Sequence, residues 1–214
     1  METLVTTEYR QTKKRPSEIR RAERQHQRDL PLEERTDLTY AEVEAMGITE
    51  PFELIDGRII FKMAYPIHAR YLLKISHVIQ NYLDDHPLGE VYADMNVRLF
   101  PDDDRQSRRP DVAFYLNEHA PQDEEKAPAI APDLAIEIVG NKSEFLDLFE
   151  KAELYLGKGA QVVWLIIPAK ACVLVWKAQE RRWEYQTLTC PELLPGWSLN
   201  LAEFFAQPRR ASAS

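Results

Sequence analysis

Three carboxylates stand where the sequence otherwise asks for apolar side chains. Glu137 lies within Leu134-Ala135-Ile136-Glu137-Ile138-Val139, a run that reads as a strand buried on both faces. Asp111 opens a second apolar run, Val112-Ala113-Phe114-Tyr115-Leu116, and Glu53 sits in Phe52-Glu53-Leu54-Ile55. A buried carboxylate without a partner takes up a proton rather than staying charged. A divalent cation reverses that balance, because it makes negative charge favourable in an apolar setting. An edge-facing or salt-bridged residue is the plain alternative, and it weighs most for Glu53. Glu137, whose nearest neighbours are all apolar, points to chemistry.

Strand geometry decides which carboxylates can share an ion. Asp133 and Glu137 are four residues apart in one segment, which separates their Cα atoms by about 13 Å at ~3.3 Å per residue. Magnesium binds oxygens at about 2.1 Å, so that pair does not chelate one ion. Asp111 and Glu137 can do so if their strands are neighbours, since facing residues on paired strands lie only about 5 Å apart. The stretch Asn117 to Pro132 is long enough for the return, which leaves Asp133 as a strand-start residue. Lys151 completes the set. On a helix from about Ser143 to Gly157, at roughly 100° per residue, it falls about 60° from Leu148 and about 40° from Tyr155. From that border of the apolar arc its stem can lie along the sheet and carry the ammonium toward Glu137. A surface lysine paired with Glu150 or Glu153 is the competing reading.

The elements that must position these groups follow from periodicity and turn chemistry. Thr39 and Glu42 have capping-box spacing and start a short helix that ends before Gly47. Asp56-Gly57 between apolar runs predicts a hairpin over Phe52 to Phe61. His68, Tyr71, Leu72, Ile75, Val78, Ile79 and Tyr82 predict a helix that ends before Pro87. Strands are expected at Val91 to Phe100, Asp111 to Leu116, Asp133 to Val139, Val162 to Ile167, Val173 to Lys177 and Trp183 to Leu188. Pro191 to Gln207 reads as a loop with a short amphipathic segment. Strands interrupted by helices give an α+β or α/β class, with a mixed sheet flanked by helices. Residues 1–35 read as a charged, mobile extension with one short helix over Ser17 to His26, residues 36–207 as the domain, and residues 208–214 as a disordered tail.

Composition narrows the function. The chain has 214 residues, 44% of them hydrophobic and 29% charged. No apolar run approaches the ~20 residues that cross a bilayer, and the first ten residues lack the apolar core of a secretory signal. Two cysteines, Cys172 and Cys190, are too few for a disulfide framework or a cysteine metal cluster. The expectation is a cytoplasmic protein with no membrane partner. The net charge of −8 argues against a protein that coats nucleic acid. Charge is nevertheless segregated: Arg10 to Arg28 carries a local +6, and the chain from Asp29 onward carries −12. Such an arm binds a polyanion or is simply a solvated tail.

At the same residues the chain resembles a known family. Phe52-Glu-Leu-Ile-Asp-Gly-Arg58, Arg109-Pro-Asp-Val-Ala-Phe114, Pro132-Asp-Leu-Ala-Ile-Glu-Ile-Val139, Glu150-Lys-Ala-Glu-Leu-Tyr155 and Gly159-Ala-Gln-Val-Val-Trp-Leu-Ile166 occur in the order seen in the Uma-type restriction endonucleases. These are small prokaryotic members of the PD-(D/E)XK nuclease superfamily. The resemblance runs from about Leu38 to Phe205 and leaves out the extension. It implies a restriction-endonuclease-like fold, with Glu53, Asp111, Glu137 and Lys151 as catalytic residues. Asp111, Glu137 and the backbone carbonyl of Ile138 would be the ligands of Mg²⁺ or Mn²⁺. Glu53 would join that shell or act through a water, and Lys151 would stand in for the superfamily's strand lysine, whose position here is Val139. The chain departs from the pattern at Gly140-Asn141-Lys142-Ser143, where a Ser-Pro-Ser-like turn is common.

The implied reaction is metal-dependent hydrolysis of nucleic-acid phosphodiesters, with DNA as partner. Arg108 and Arg109 would be phosphate contacts. His68 matches a family histidine but reads as a packed or hydrogen-bonded residue. A homodimer is a possibility to which Tyr82, Trp176 and Trp183 could contribute, although ordinary packing accounts for them. Two other readings compete: a nuclease fold that holds nucleic acid without cutting it, and a metal-free carboxylate-pair hydrolase of the glycosidase kind.

Overall fold

The computed structural model describes residues 15–63, 65–140 and 145–206. Within them lies one six-stranded sheet in the order β3-β4-β5-β6-β7-β8. Its strands are β3 (Gly89–Ala93), β4 (Val112–Leu116), β5 (Leu134–Ile138), β6 (Val162–Ile167), β7 (Cys172–Lys177) and β8 (Glu180–Glu184). Neighbours pair antiparallel except β5 and β6, which are parallel. A parallel pair needs a crossover, and helix α4 (Phe145–Gly157) lies between these two strands. Every residue of β5 and β6 is buried, as their unbroken apolar runs predict.

The two faces have different covers. Helix α3 (Pro66–Asp85) lays Tyr71, Ile75, Ile79 and Leu83 on one face, against Val112, Phe114, Leu134, Ile136 and Ile138. That core also includes the two-stranded sheet of β9 (Thr187–Cys190) and β10 (Leu194–Asn200), with helix α5 (Leu201–Phe205). On the other face α4 packs Leu148, Ala152 and Tyr155 against Ala135, Val163 and Leu165. By the alternation of a strand, Glu137 shares the α4 face with Ala135 and Val139.

A third cluster holds the hairpin of β1 (Phe52–Ile55) and β2 (Arg58–Phe61) against helix α2 (Tyr40–Ala45). Asp56 and Gly57 both have positive φ, 50° and 76°, as a tight two-residue turn demands. A side chain at Gly57 would also meet the Thr36 carbonyl oxygen at 2.6 Å, so only glycine serves there. Thr39 Oγ1 accepts from the Glu42 amide at 3.2 Å and Glu42 returns the bond to the Thr39 amide at 3.0 Å, the expected capping box. Ahead of this cluster, helix α1 (Pro16–Asp29) buries no residue.

Three expectations need correction. The strand expected over Val91 to Phe100 stops at Ala93, because Asp94 turns into the left-handed region at φ 54°. Beyond it only Val97 bridges to Arg108. The strand expected over Trp183 to Leu188 is two strands, β8 and β9, which belong to different sheets. Strand β10 falls where a loop was expected; Pro195 and Gly196 interrupt its pattern, and its pairing with β9 shifts register between Leu194 and Ser198. The expectations for residues 1–14, for the start of α4 at Ser143 and for residues 208–214 lie outside the described residues.

Candidate metal and phosphodiester site

Asp111 and Glu137 meet at the edge where β4 begins. Val112 pairs with Ile136, so the next position outward sets Asp111 opposite Glu137. Asp111 Oδ2 accepts from the Ile138 amide at 2.6 Å, and Asp111 Oδ1 lies 2.9 Å from His68 Nε2 on the first turns of α3. In an extended strand the amide and carbonyl of one residue point to the same side. The Ile138 carbonyl therefore faces the edge at which Asp111 stands.

Lys151 rises from α4 beneath this edge with only 9% of its side chain exposed. Its ammonium has three hydrogens and three acceptors: Glu137 Oε1 at 2.6 Å, Glu53 Oε1 at 2.8 Å and the Arg109 carbonyl oxygen at 3.1 Å. Tyr155, one turn further along α4, donates its hydroxyl to Glu137 Oε1 at 3.0 Å. Glu53 also accepts from the Arg109 amide at 3.0 Å and faces Lys62 Nζ at 3.3 Å. The hairpin thus delivers Glu53 as a partner of the lysine.

The charges do not balance evenly. Burial alone would raise Glu53, but Lys151, Lys62 and the Arg109 amide pull it down to about 2. Burial would lower Lys151, yet the charges of Glu137, Glu53 and Asp111 outweigh it and hold the ammonium above its usual value. Glu137 moves the other way. Burial raises it, and Asp111 and Glu53 add to that against the pull of Lys151, so it stands at about 7. Burial and the same carboxylates keep Tyr155 a neutral donor. Glu137 is thus the carboxylate of the set that holds its charge least readily, chiefly because it is buried, while His68 beside Asp111 is raised by that contact.

Two carboxylates and a backbone carbonyl directed to one edge suit a small hard cation that keeps several waters. Among the described residues no group of three His, Cys, Asp or Glu side chains could hold an ion together, so water would complete any coordination shell. Glu53 lies on the lysine side of this arrangement.

The remaining expected residues are held by the protein itself. Arg108 donates to the carbonyls of Leu54 and Ser107 and to Gln106 Oε1. Arg109 binds Asp94 Oδ1 at 2.5 Å and Asn96 Oδ1 at 3.3 Å. Either arginine must release such bonds to grip a phosphate. Tyr82 donates to the Pro195 carbonyl and stacks on His86, Trp176 is buried beneath Arg181, and Trp183 is 44% exposed. Sequence reasoning did not give Tyr155 and Lys62 their places beside the carboxylates. Tyr155 could have been found, because it lies four residues after Lys151 on the same helix face.

The sequence matches the family described as "Putative restriction endonuclease", Uma2, over residues 39–208. The chain belongs to the Uma2 family. Glu53, His68, Asp111, Glu137 and Lys151 all fall inside the matched region, and α1 precedes it. No curated protein matches the chain. Among solved structures it is similar to one described as a putative nuclease belonging to DUF820 from Anabaena variabilis, with 22% identity and a TM-score of 0.66. The match covers 78% of this chain and 97% of that one. The Uma2 chain accordingly has a nuclease-like α+β fold, a central mixed sheet flanked by helices. Among its described residues no helix is long and apolar enough to cross a membrane.

Proposed function

We propose that this Uma2-family protein is an Mg²⁺- or Mn²⁺-dependent endonuclease that hydrolyses phosphodiester bonds in DNA. The observation that carries the reading is the placement of Asp111 opposite Glu137 on paired strands, with the Lys151 ammonium 2.6 Å from Glu137. Asp111, Glu137 and the Ile138 carbonyl would hold the ion. Bound there, it supplies Lewis-acid chemistry: charge withdrawal from the phosphate and acidification of the attacking water. His68 steadies Asp111, and Tyr155 steadies Glu137, so the two carboxylates keep one orientation. Lys151 turns one hydrogen from its protein acceptors to the phosphate and stabilises the charge that develops as water bonds to phosphorus and the ester P–O bond breaks. Glu53 and the Arg109 carbonyl hold the ammonium in position for that donation. A homodimer, which would bring one centre to each strand of a duplex, belongs to this reading, as does a cytoplasmic location.

Purified protein with Mn²⁺ is expected to nick plasmid DNA, and EDTA, Asp111→Asn or Glu137→Gln should each bring nicking down to background. Cleavage that survives both substitutions would sink the reading. A second reading, a nuclease fold that holds nucleic acid without cutting it, draws support from the full engagement of the Lys151 hydrogens. It predicts binding without cleavage under any divalent metal.

A further inference from the structure

We infer that α1 is a phosphate-gripping arm for nucleic acid, added to the family domain rather than part of it. The inference rests on the reading of nucleic acid as the partner, and it concerns binding rather than cleavage. At about 100° per residue, Arg20, Arg21, Arg24 and Arg28 fall within one arc of roughly 100°, while Glu18, Glu23 and Asp29 all lie outside it. The four arginines are exposed. Among the described residues none of them is paired with a carboxylate; the ion pair of this segment is Arg15 with Glu18. A helix that was only solvated would gain from mixing its charges at i, i+4 spacing, and this one segregates them.

The arm is also joined to the site. Gln27 Oε1 accepts from the Thr36 amide at 2.9 Å, and the Thr36 carbonyl abuts Gly57 at the hairpin turn. Arg24 and Arg28 line a cleft with Arg105, which donates to the Asp56 carbonyl at 2.8 Å. Of the two acidic residues of that cleft, Asp37 is paired with Arg35, and Glu42 accepts from the Thr39 amide and keeps its charge, so three arginines face two carboxylates, one of them already paired. A basic row therefore runs from α1 to the hairpin that carries Glu53. From Arg20 to Arg28 it spans about 12 Å at 1.5 Å per residue, which matches about three or four phosphates along one strand. An anionic membrane fits less well, because a membrane-surface helix needs an apolar face and α1 offers only Ile19 as a large exposed apolar residue.

The test is equilibrium binding of a short fluorescein-labelled DNA duplex to the full chain in EDTA, titrated with salt. The variant R20Q/R21Q/R24Q/R28Q should bind about tenfold or more weaker at low salt, and its log–log salt slope should be shallower by about 3. R181Q/R182Q, two arginines with carboxylate partners on the edge strand β8, should leave the slope unchanged. Equal affinity and slope for the wild type and the quadruple variant would overturn the proposal, whatever the outcome with Mn²⁺. So would a quadruple variant that loses phosphatidylserine vesicles and keeps the duplex. A weakened variant of a protein that never cleaves DNA would support the arm and count only against the nuclease reading.

Discussion

Strand β5 is flanked by one buried carboxylate and contains another, and the two are treated in opposite ways. Asp133, just before the strand, is tied down by neutral or shared donors: the Leu116 amide at 2.9 Å, Gln161 Nε2 at 2.8 Å and His119 Nδ1 at 2.9 Å. Its own carbonyl accepts from the amides of Gln161 and Val162. Each of those bonds fastens one loop or strand end to another. Glu137, near the far end, meets a lysine and a tyrosine but also the charges of Asp111 and Glu53. The Asp133 oxygens meet amide and ring donors, whereas Glu137 meets two donors and, close by, two further carboxylates.

Removing the cation from the charged end is the largest way to break this contrast. Lys151→Ala leaves Glu53 and Glu137 buried with no ammonium between them, and loss of one partner from a buried charge cluster costs about 3–5 kcal/mol. Chemical denaturation should show that loss near neutral pH, and Mn²⁺ added to the variant should recover part of it by supplying the missing positive charge. A variant as stable as the wild type would mean that the carboxylates simply take up protons without penalty.

The charged end was legible because its geometry comes from fixed repeats. Strand spacing excluded Asp133 with Glu137 and favoured Asp111 with Glu137, and helical angle brought Lys151 to the edge of the α4 apolar arc. What stayed hidden depends on tertiary contact. His68 meets Asp111 only because the start of α3 packs at the start of β4. Tyr155 shares a helix face with Lys151, which is legible, but only the fold brings its hydroxyl to Glu137. Arg108 and Arg109 look like free cations in a polar loop, yet backbone carbonyls, Asp94 and Asn96 occupy them. In the fold, Asp94 ended a strand that its apolar pattern would have carried on, and a bulged strand holding Pro195 and Gly196 could not be told from a loop. The hairpin, α3 and the central strands were readable because turn chemistry, period and burial all agree there.

Acid sharpens the contrast from another side. Glu53 is held near 2 against an ordinary 4.5. Its contribution to stability is therefore complete above about pH 4.5 and is lost as the pH falls toward about 2, amounting to at most about 3 kcal/mol. The stability advantage of wild type over Glu53→Gln should shrink as the pH falls below about 4.5. A difference that instead grows on acidification would show that Glu53 is not the carboxylate Lys151 keeps ionised.

Asp133→Asn probes the other end of β5 with a smaller effect of a different kind. An asparagine can accept from the Leu116 amide or from Gln161, but it carries one acceptor oxygen where the carboxylate uses two, and it loses the charge beside His119. The expected cost is about 1–3 kcal/mol, the penalty of leaving a buried polar group short of its partner. Cleavage per folded molecule should not change, because no bond of Asp133 reaches Lys151, Asp111 or Glu137 among the described residues. Glu137→Gln should do the reverse: nicking disappears, while stability holds or rises once the repulsion from Asp111 and Glu53 is gone. If both substitutions lowered stability alike and both abolished nicking, the two carboxylates would belong to one network, and the division of β5 into a clamped end and a charged end would be wrong.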